Sequence, residues 1–545
     1  MNQTIANLYI DQSQPDITSI SEKYMLVKLN MDILLLILVS LAISAFLKAF
    51  FSLFFDSKTI IHNQLPPGPP PLPLIGNVFW LYTPISKFES HIRSLHAKFG
   101  PIITIHFVSL PFIMVADRFI AYKALIQNGA TFADRPAGAI AAARVLDKSQ
   151  NSISSSSYGP TLRLLRGNLA TGIFHPSRVK AQAHARKRVL QTLQNRLELL
   201  SKSGEPIQVL EHLQLAMYSL LAQLCFGDKL SQKQMEEIEE VEHRATLHLS
   251  NVSIFHFWKL FSKIVLRKRR AWSLKIRKDQ EDVFIPLIRA RKKLKEERST
   301  KSNMEDQDYV LSYVDTLLDL RFPANHDKIQ LTERDILSLC NEFLSAGAGT
   351  TTTALEWILA NLVKYPEIQE KLFMEIKGVV RDGDQGVKED DLQEMPYLKA
   401  IILEGLRRHP PTHVSLPHAV TEDTTLNEYL VPKQGTVVFM LADIGWDPNS
   451  WEDPMAFKPE RFLSSSFDIT GSREIKMMPF GVGRRMCPGY GLAMLILEYF
   501  VANLIWSFEW KAVDGDGVDL SEKQEFTMVM KNPLQVQISP RWKNN

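Results

Sequence analysis

Cysteine is scarce in this 545-residue sequence: only Cys225, Cys340 and Cys487 occur. Three thiols exclude a disulfide-built scaffold and any all-cysteine zinc or iron–sulfur centre, which takes about four. An excess of either charge is missing as well. The 63 Lys and Arg stand against 60 Asp and Glu, a formal +3, which argues against nucleic acid as a partner. With 45% hydrophobic and 23% charged residues, the composition is globular rather than disordered or fibrous. Length alone allows three or four domains at roughly 150 residues each. No internal repeat appears, however, and no proline- or glycine-rich linker occurs beyond residue 73, which favours one large domain.

What is present starts near the amino terminus. Residues 1–32 are polar and mixed. Ile33 to Phe55 form an apolar run broken by one charge, Lys48. About 20 apolar residues cross a bilayer as a helix, and Lys48 near the carboxyl end can snorkel to the interface. The competing reading is a cleaved signal peptide with Ala42 and Ser44 as its small-residue site. The run continues past them and begins unusually deep in the chain, which favours an uncleaved anchor. Lys23 and Lys28 before the span balance Lys48 and Lys58 after it, so the lysines leave orientation open. The sequon Asn2-Gln3-Thr4 has meaning only with a lumenal amino terminus. In residues 56–73, six of the eight positions from Pro66 to Pro73 are proline, a stiff extended spacer. Residues 74–545 then form the large domain.

Apolar spacing predicts helices near 161–172, 178–201, 206–226, 234–247, 275–300, 332–363, 366–380 and 396–408. β-rich runs are fewer: Ile102–Phe107, Phe112–Ala116, Thr436–Met440 and the tail near Thr527–Ile538. The expected class is mainly α with small β-sheets. Between Lys263 and Arg298 stand 14 Lys or Arg against 5 Asp or Glu. This is either a solvated helix face or a basic surface for anionic lipid or an acidic protein.

The most specific stretch is Phe480-Gly-Val-Gly-Arg-Arg-Met-Cys-Pro-Gly489. Gly481, Gly483 and Gly489 allow positive φ and close backbone approach to a flat cofactor. Arg484 and Arg485 are expected to draw the Cys487 thiol toward thiolate, and the helix expected after Gly489 favours negative charge at its start. One thiolate without a partner cysteine suits a single axial ligand to haem iron. Cys225 and Cys340 lie in apolar helical stretches and read as core.

These residues resemble the haem-thiolate monooxygenases, the cytochrome P-450 superfamily, and the resemblance covers the whole chain after the anchor. It implies that fold, with Cys487 as the axial ligand and Phe480, Gly483, Arg485 and Gly489 as cofactor-loop residues. Glu404-Gly-Leu-Arg407 resembles the family's E-x-x-R, whose two side chains share one helix face. With Arg461 of Pro459-Glu-Arg-Phe462 it implies a structural triad. Ala346-Gly-Ala-Gly-Thr-Thr351 resembles the distal-helix motif in which a threonine, here Thr350 followed by Thr351, holds a proton-delivering water network fed by an acid. Here the acid's position is Gly349. That leaves three readings: slow or uncoupled turnover, a relay through water or substrate, or a rearrangement needing no such protons. Glu342, seven residues earlier on that face, lies roughly 10 Å away, too far to substitute directly, though a water chain from it is conceivable. Tyr158-Gly-Pro-Thr-Leu-Arg-Leu-Leu-Arg166 resembles the W-x-x-x-R helix that binds a haem propionate. Arg166 matches the arginine, Leu162 replaces the tryptophan, and His418 matches another position near a propionate.

Phe132-Ala-Asp-Arg-Pro136, Tyr365-Pro366-Glu367 and Pro479-Phe480-Gly481 resemble plant A-type members. This implies single-pass anchoring in the endoplasmic reticulum membrane, a cytosolic catalytic body and electrons from NADPH through a diflavin reductase. It also implies a hydrophobic small-molecule substrate from plant secondary metabolism, met by Pro136–Asp147, Asn341–Ala346, Val414–Leu416 and Thr527–Met530. A haem-thiolate isomerase or dehydratase, or a haem-binding protein without catalysis, are the alternatives that Gly349 keeps open.

Overall fold

The structure is a computed structural model. It describes residues 33–48, 50, 64–72, 76–77 and 85–542, apart from 108–109, 137–151, 228, 251–266, 301–308, 324–327, 382, 385, 434, 465–466 and 514–516. The first 32 residues, positions 51–63 and most of the expected substrate loop Pro136–Asp147 therefore lie outside the described residues.

The longer helices described are α1 (Ile33–Lys48), α2 (Ile85–Phe99), α3 (Pro160–Gly172), α4 (Ala183–Ser201), α5 (Val209–Phe226), α6 (Gln232–Ser250), α7 (Arg267–Thr300), α8 (Glu333–Lys364), α9 (Pro366–Val379), α10 (Pro396–Arg408) and α11 (Tyr490–Ser507). The strands used below are β1 (Ile102–Phe107), β2 (Leu110–Val115), β3 (Ile207–Gln208), β4 (His418–Ala419), β5 (Thr436–Phe439), β6 (Phe508–Ala512), β7 (Glu522–Gln524), β8 (Met528–Met530) and β9 (Gln535–Pro540). The expected mainly-α class with small sheets is what the described residues show. Two details differ. The expected helix 178–201 breaks at Gln182 into Pro176–Ala181 and α4. Helix α2 was not expected, although Ile85, Phe88, Ile92, Leu95 and Phe99 carry helical spacing.

One sheet runs β1-β2-β5-β4, antiparallel except for the parallel β2–β5 pair. A second runs β6-β9-β3, and β7 pairs with β8 as a hairpin. The proline run is seated on the first sheet. The Thr104 N–H donates to Pro67 O at 2.9 Å, and a Cβ on Gly68 would come within 1.9 Å of Thr104 O. In α1 the large apolar side chains face outward, with Leu36 69% and Phe46 70% exposed. Among the described residues, helices α5 and α11 are long and apolar enough to cross a bilayer, but their spans are 67% buried inside the protein; α1 as described is apolar but shorter. A helix apolar on every side belongs in a core.

Helix α8 is the central rod. A reciprocal cap starts it: the Asp335 N–H donates to Thr332 Oγ1 (3.2 Å) and the Thr332 N–H to Asp335 Oδ2 (3.0 Å). Its second half is almost wholly buried. One strip of it fastens the carboxyl-terminal tail. Trp357 Nε1 donates to Met528 O (2.7 Å), Thr353 and Thr527 share a hydroxyl hydrogen bond (2.8 Å), and the Leu534 N–H donates to Glu356 Oε1 (3.0 Å).

Helix α10 carries a fully buried ion pair. Arg407 Nε and Nη2 donate to the two Glu404 oxygens at 2.7 and 2.8 Å, and neither side chain is exposed. Arg461 Nε adds a contact at 3.2 Å, and the Lys458 N–H donates to Glu404 Oε1 at 2.8 Å. Arg407 spends its other N–H groups on Gly445 O, Pro454 O and Ala456 O. Removing one member strands a buried charge, which costs about 3–5 kcal/mol. Arg407→Ala should therefore lower stability by about that amount, and Arg461→Ala by clearly less because Arg461 is partly solvated. Chemical denaturation followed by tryptophan fluorescence checks this ordering.

Candidate active site

A cavity of about 410 Å³ lies between α8, the start of α11 and the loop Met478–Gly489. Cys487, Arg166, Arg485, His418, Thr350 and Thr351 all line it, as do Phe480 and Gly489. Gly483, Gly349, Leu162 and the triad Glu404, Arg407, Arg461 do not. Cys225 and Cys340 are fully buried in the helical core, and burial pushes the Cys225 thiol far up.

The loop is shaped by its backbone. Gly481 and Gly483 have φ of 65° and 72°. A Cβ on Gly483 would lie 2.2 Å from Leu125 O, so glycine is required there twice over. The close approach at Gly483 is thus to the chain itself rather than to a cofactor. The Cys487 N–H donates to Phe480 O (2.8 Å), and Arg166 Nη2 donates to Met486 O (2.8 Å). These two bonds hold the thiol at the cavity wall. Burial pushes the Cys487 thiol up, while the Gly489 N–H and the Arg166 charge pull it down. The expectation that Arg484 and Arg485 would supply the cation is corrected. Arg484 turns to the Tyr158 hydroxyl, and Arg485 donates to Ala133 O (2.6 Å), Ile153 O (3.2 Å) and Ser156 O (2.6 Å).

Cations crowd one side of the cavity. Arg135, a lining residue that sequence reasoning quoted in a phrase without giving it a role, donates to Ser154 O (2.7 Å) and Pro417 O (2.7 Å). Burial and the neighbouring Arg485 push it down to about 9. Burial pushes Arg485 down to about 10, with Arg166 adding to the shift. These guanidiniums donate to carbonyls and repel each other, and the nearby Asp134 and Glu342 charges offset that only in part, so a further anion would be favoured there. Two carboxylates such as haem propionates would supply it, and a thiol on the same wall would meet the iron, so the residues present fit haem. His418, fixed on β4, gives its Nδ1–H to Phe132 O (2.7 Å). Burial and the two arginines push it to about 3. The neutral ring offers Nε2 only as an acceptor, so hydrogen bonding to a carboxylate would require His418 to take up a proton.

On the opposite wall, Thr350 Oγ1 donates to Ala346 O (2.6 Å). A Cβ at Gly349 would meet only Phe526 Cδ1, at 3.8 Å. The place of the acid is therefore open but faces an aromatic ring. Phe526 lines the cavity, whereas Thr527, Met528 and Met530 of the expected tail segment are buried against the core. Phe526 stands one residue before the expected tail segment Thr527–Met530. Glu342 does not reach toward Thr350. Its carboxylate accepts from Ser152 Oγ (3.0 Å), Ile153 N–H (2.7 Å) and Ser154 N–H (2.6 Å), so the water-chain reading is set aside. Leu162 is buried in the core, and the missing tryptophan leaves Arg166 without that partner.

Known proteins resemble the chain over most of its length. The family model Cytochrome P450 matches residues 66–540. Cytochrome P450 89A9 of Arabidopsis thaliana is 46% identical over 525 residues, covering 94% of this chain and 99% of its own. A probable (S)-N-methylcoclaurine 3'-hydroxylase of Coptis japonica is 30% identical over 523 residues, covering 93% and 99%. A solved zebra fish cytochrome P450 with progesterone superposes with a TM-score of 0.68 at 20% identity, over 83% of this chain and 99% of that one.

A charge-assisted hydrogen bond contributes about 1.5–3 kcal/mol. Removing Arg135 or Arg166 by alanine substitution should therefore weaken haem retention about tenfold to a hundredfold. Haem transfer to apomyoglobin measures it, and unchanged retention in both variants would contradict the anion-binding role.

Proposed function

The chain belongs to the cytochrome P450 family and is a monooxygenase with a haem-thiolate cofactor, and from that premise we propose that Cys487 is the thiolate ligand and Thr350 the distal hydroxyl of its reaction. The carrying observation is that both line one cavity, with Arg135, Arg166 and Arg485 gathered on its cationic side. Haem supplies the activation of dioxygen. Arg166 holds the Cys487 loop through Met486 O and, with Arg135 and Arg485, receives the cofactor's carboxylates. Phe480 packs beside the loop. Thr350 keeps its hydroxyl at the cavity wall, its proton on Ala346 O and its oxygen left to accept from water, and Thr351 stands beside it. With Gly349 in the acid's place, protons reach that hydroxyl through water.

Electrons come from NADPH through a diflavin reductase. Met217, Leu221, Phe343 and Phe526 in the lining suit a hydrophobic small molecule, read here as a plant secondary metabolite into which one oxygen atom is inserted. The exposed apolar face of α1 supports a membrane anchor starting at Ile33, with residues 56–73 linking it to the catalytic body. We place the protein in the endoplasmic reticulum membrane as a single-pass protein with its body in the cytosol.

The test is a reduced carbon monoxide spectrum, then NADPH and oxygen consumption with added reductase. Wild type should show the thiolate-type band, and Cys487→Ala should lose it; a thiolate band retained in Cys487→Ala would sink the ligand assignment. Gly349→Asp places a carboxylate where space exists. It should raise product formed per NADPH consumed by several-fold, since positioned acids contribute about a hundredfold or more to proton transfer. Unchanged coupling would show that protons take a route independent of this position.

A further inference from the structure

The segment Ser152–Ser156 crosses the edge of the cavity between charges of opposite sign. On one side Glu342 of α8 collects the Ser152 hydroxyl and the successive N–H groups of Ile153 and Ser154, at 3.0, 2.7 and 2.6 Å. On the other side Arg485 holds the carbonyls of Ile153 (3.2 Å) and Ser156 (2.6 Å), and Arg135 holds that of Ser154 (2.7 Å). The Ile153–Ser154 peptide unit thus has its N–H end on a carboxylate and its C=O end on a guanidinium. Every one of these bonds is charge-assisted, and such bonds are roughly twice as strong as neutral ones. Ile153, Ser154, Glu342, Arg135 and Arg485 all line the cavity.

We propose that Glu342 is a positioning residue of the substrate pocket: it fastens the strap Ser152–Ser156 to the distal helix and so fixes where the Ile153 wall stands. The proposal rests on the monooxygenase reading for the use of the pocket, but not for the strap itself. It assigns Glu342 no proton transfer. It also gives the two ends of the strap different fates. Cofactor carboxylates compete with the Ile153, Ser154 and Ser156 carbonyls for Arg485 and Arg135. Cofactor carboxylates offer no donor to Glu342, which becomes the principal hold on the strap in the haem-loaded protein.

Hydrogen–deuterium exchange on the haem-loaded full chain reads this directly. In Glu342→Gln the amides of Ile153 and Ser154 should exchange about tenfold faster or more, while the Cys487 amide, bonded to Phe480 O, is unchanged. Ser152→Ala removes one of the three bonds and should give a smaller increase, about threefold, which keeps the test available if the glutamine variant does not fold. Azole titration supplies the functional readout. Affinity for imidazole itself should stay within about twofold of wild type, while that for 1-(triphenylmethyl)imidazole, which must reach the wall, should fall about tenfold. Unchanged amide exchange in both variants overturns the proposal, as does an equal loss for both azoles, which would indicate general damage. A wild-type protein that consumes no NADPH with reductase would instead defeat the monooxygenase reading and leave the exchange result standing.

Discussion

The buried pair Glu404–Arg407 is the contact on which the rest of the molecule depends. Neither side chain touches solvent, so the desolvation of two charges must be met in full by their neighbours. It is met by backbone drawn from far along the chain: Gly445 O, Pro454 O, Ala456 O and Lys458 N–H. Satisfying the pair therefore forces the irregular stretch 445–461 onto α10. That stretch brings Trp451 and Phe462 against Met477, and Met477 leads straight into the cavity loop. A loop with little regular structure holds Cys487 in place because the electrostatic demand of Glu404 and Arg407, far upstream of Met478, fixes its base.

The cavity inherits a polarity from this arrangement. Guanidiniums gather at one side, where they pull down one another's pKa, and aliphatic and aromatic side chains cover the other. The thiol sits between two influences, with burial favouring the neutral form and Arg166 with the Gly489 amide favouring the thiolate. A bound cation such as iron would settle that contest, since a coordinating thiol is deprotonated outright. A cofactor with carboxylates and a metal thus suits both groups, bringing an anion to the arginines and a cation to the cysteine.

Much of this was legible in the sequence where local signals and distant ones agree. The Cys487 loop, E-x-x-R on α10, and α8 with its threonines are short patterns whose residues lie within one helix or one loop. Helix boundaries followed wherever a proline or a cap marks them, as at Pro366, Pro396 and Thr332. Contacts that depend on where a side chain points were not legible. Arg485 stands two residues from Cys487 yet serves the carbonyls of Ala133, Ile153 and Ser156, and Arg166, 321 positions away, acts on the thiol instead. Spacing places Glu342 on the distal face but cannot show that a strap of backbone N–H groups meets it. Arg135 was visible only as one letter of a phrase, because its role comes from burial beside other cations.

The fastening of the tail to α8 has a consequence of another kind. Two of its three bonds end on main-chain atoms, Met528 O and Leu534 N–H, which every side chain leaves unchanged. On the tail's side those two bonds thus end on atoms that substitution within the tail does not alter, provided Trp357 and Glu356 of α8 are kept. Position 526 can then be exchanged over generations while the hairpin keeps its seat. The pocket is free to diverge toward new ligands at that tip without first having to rebuild its frame.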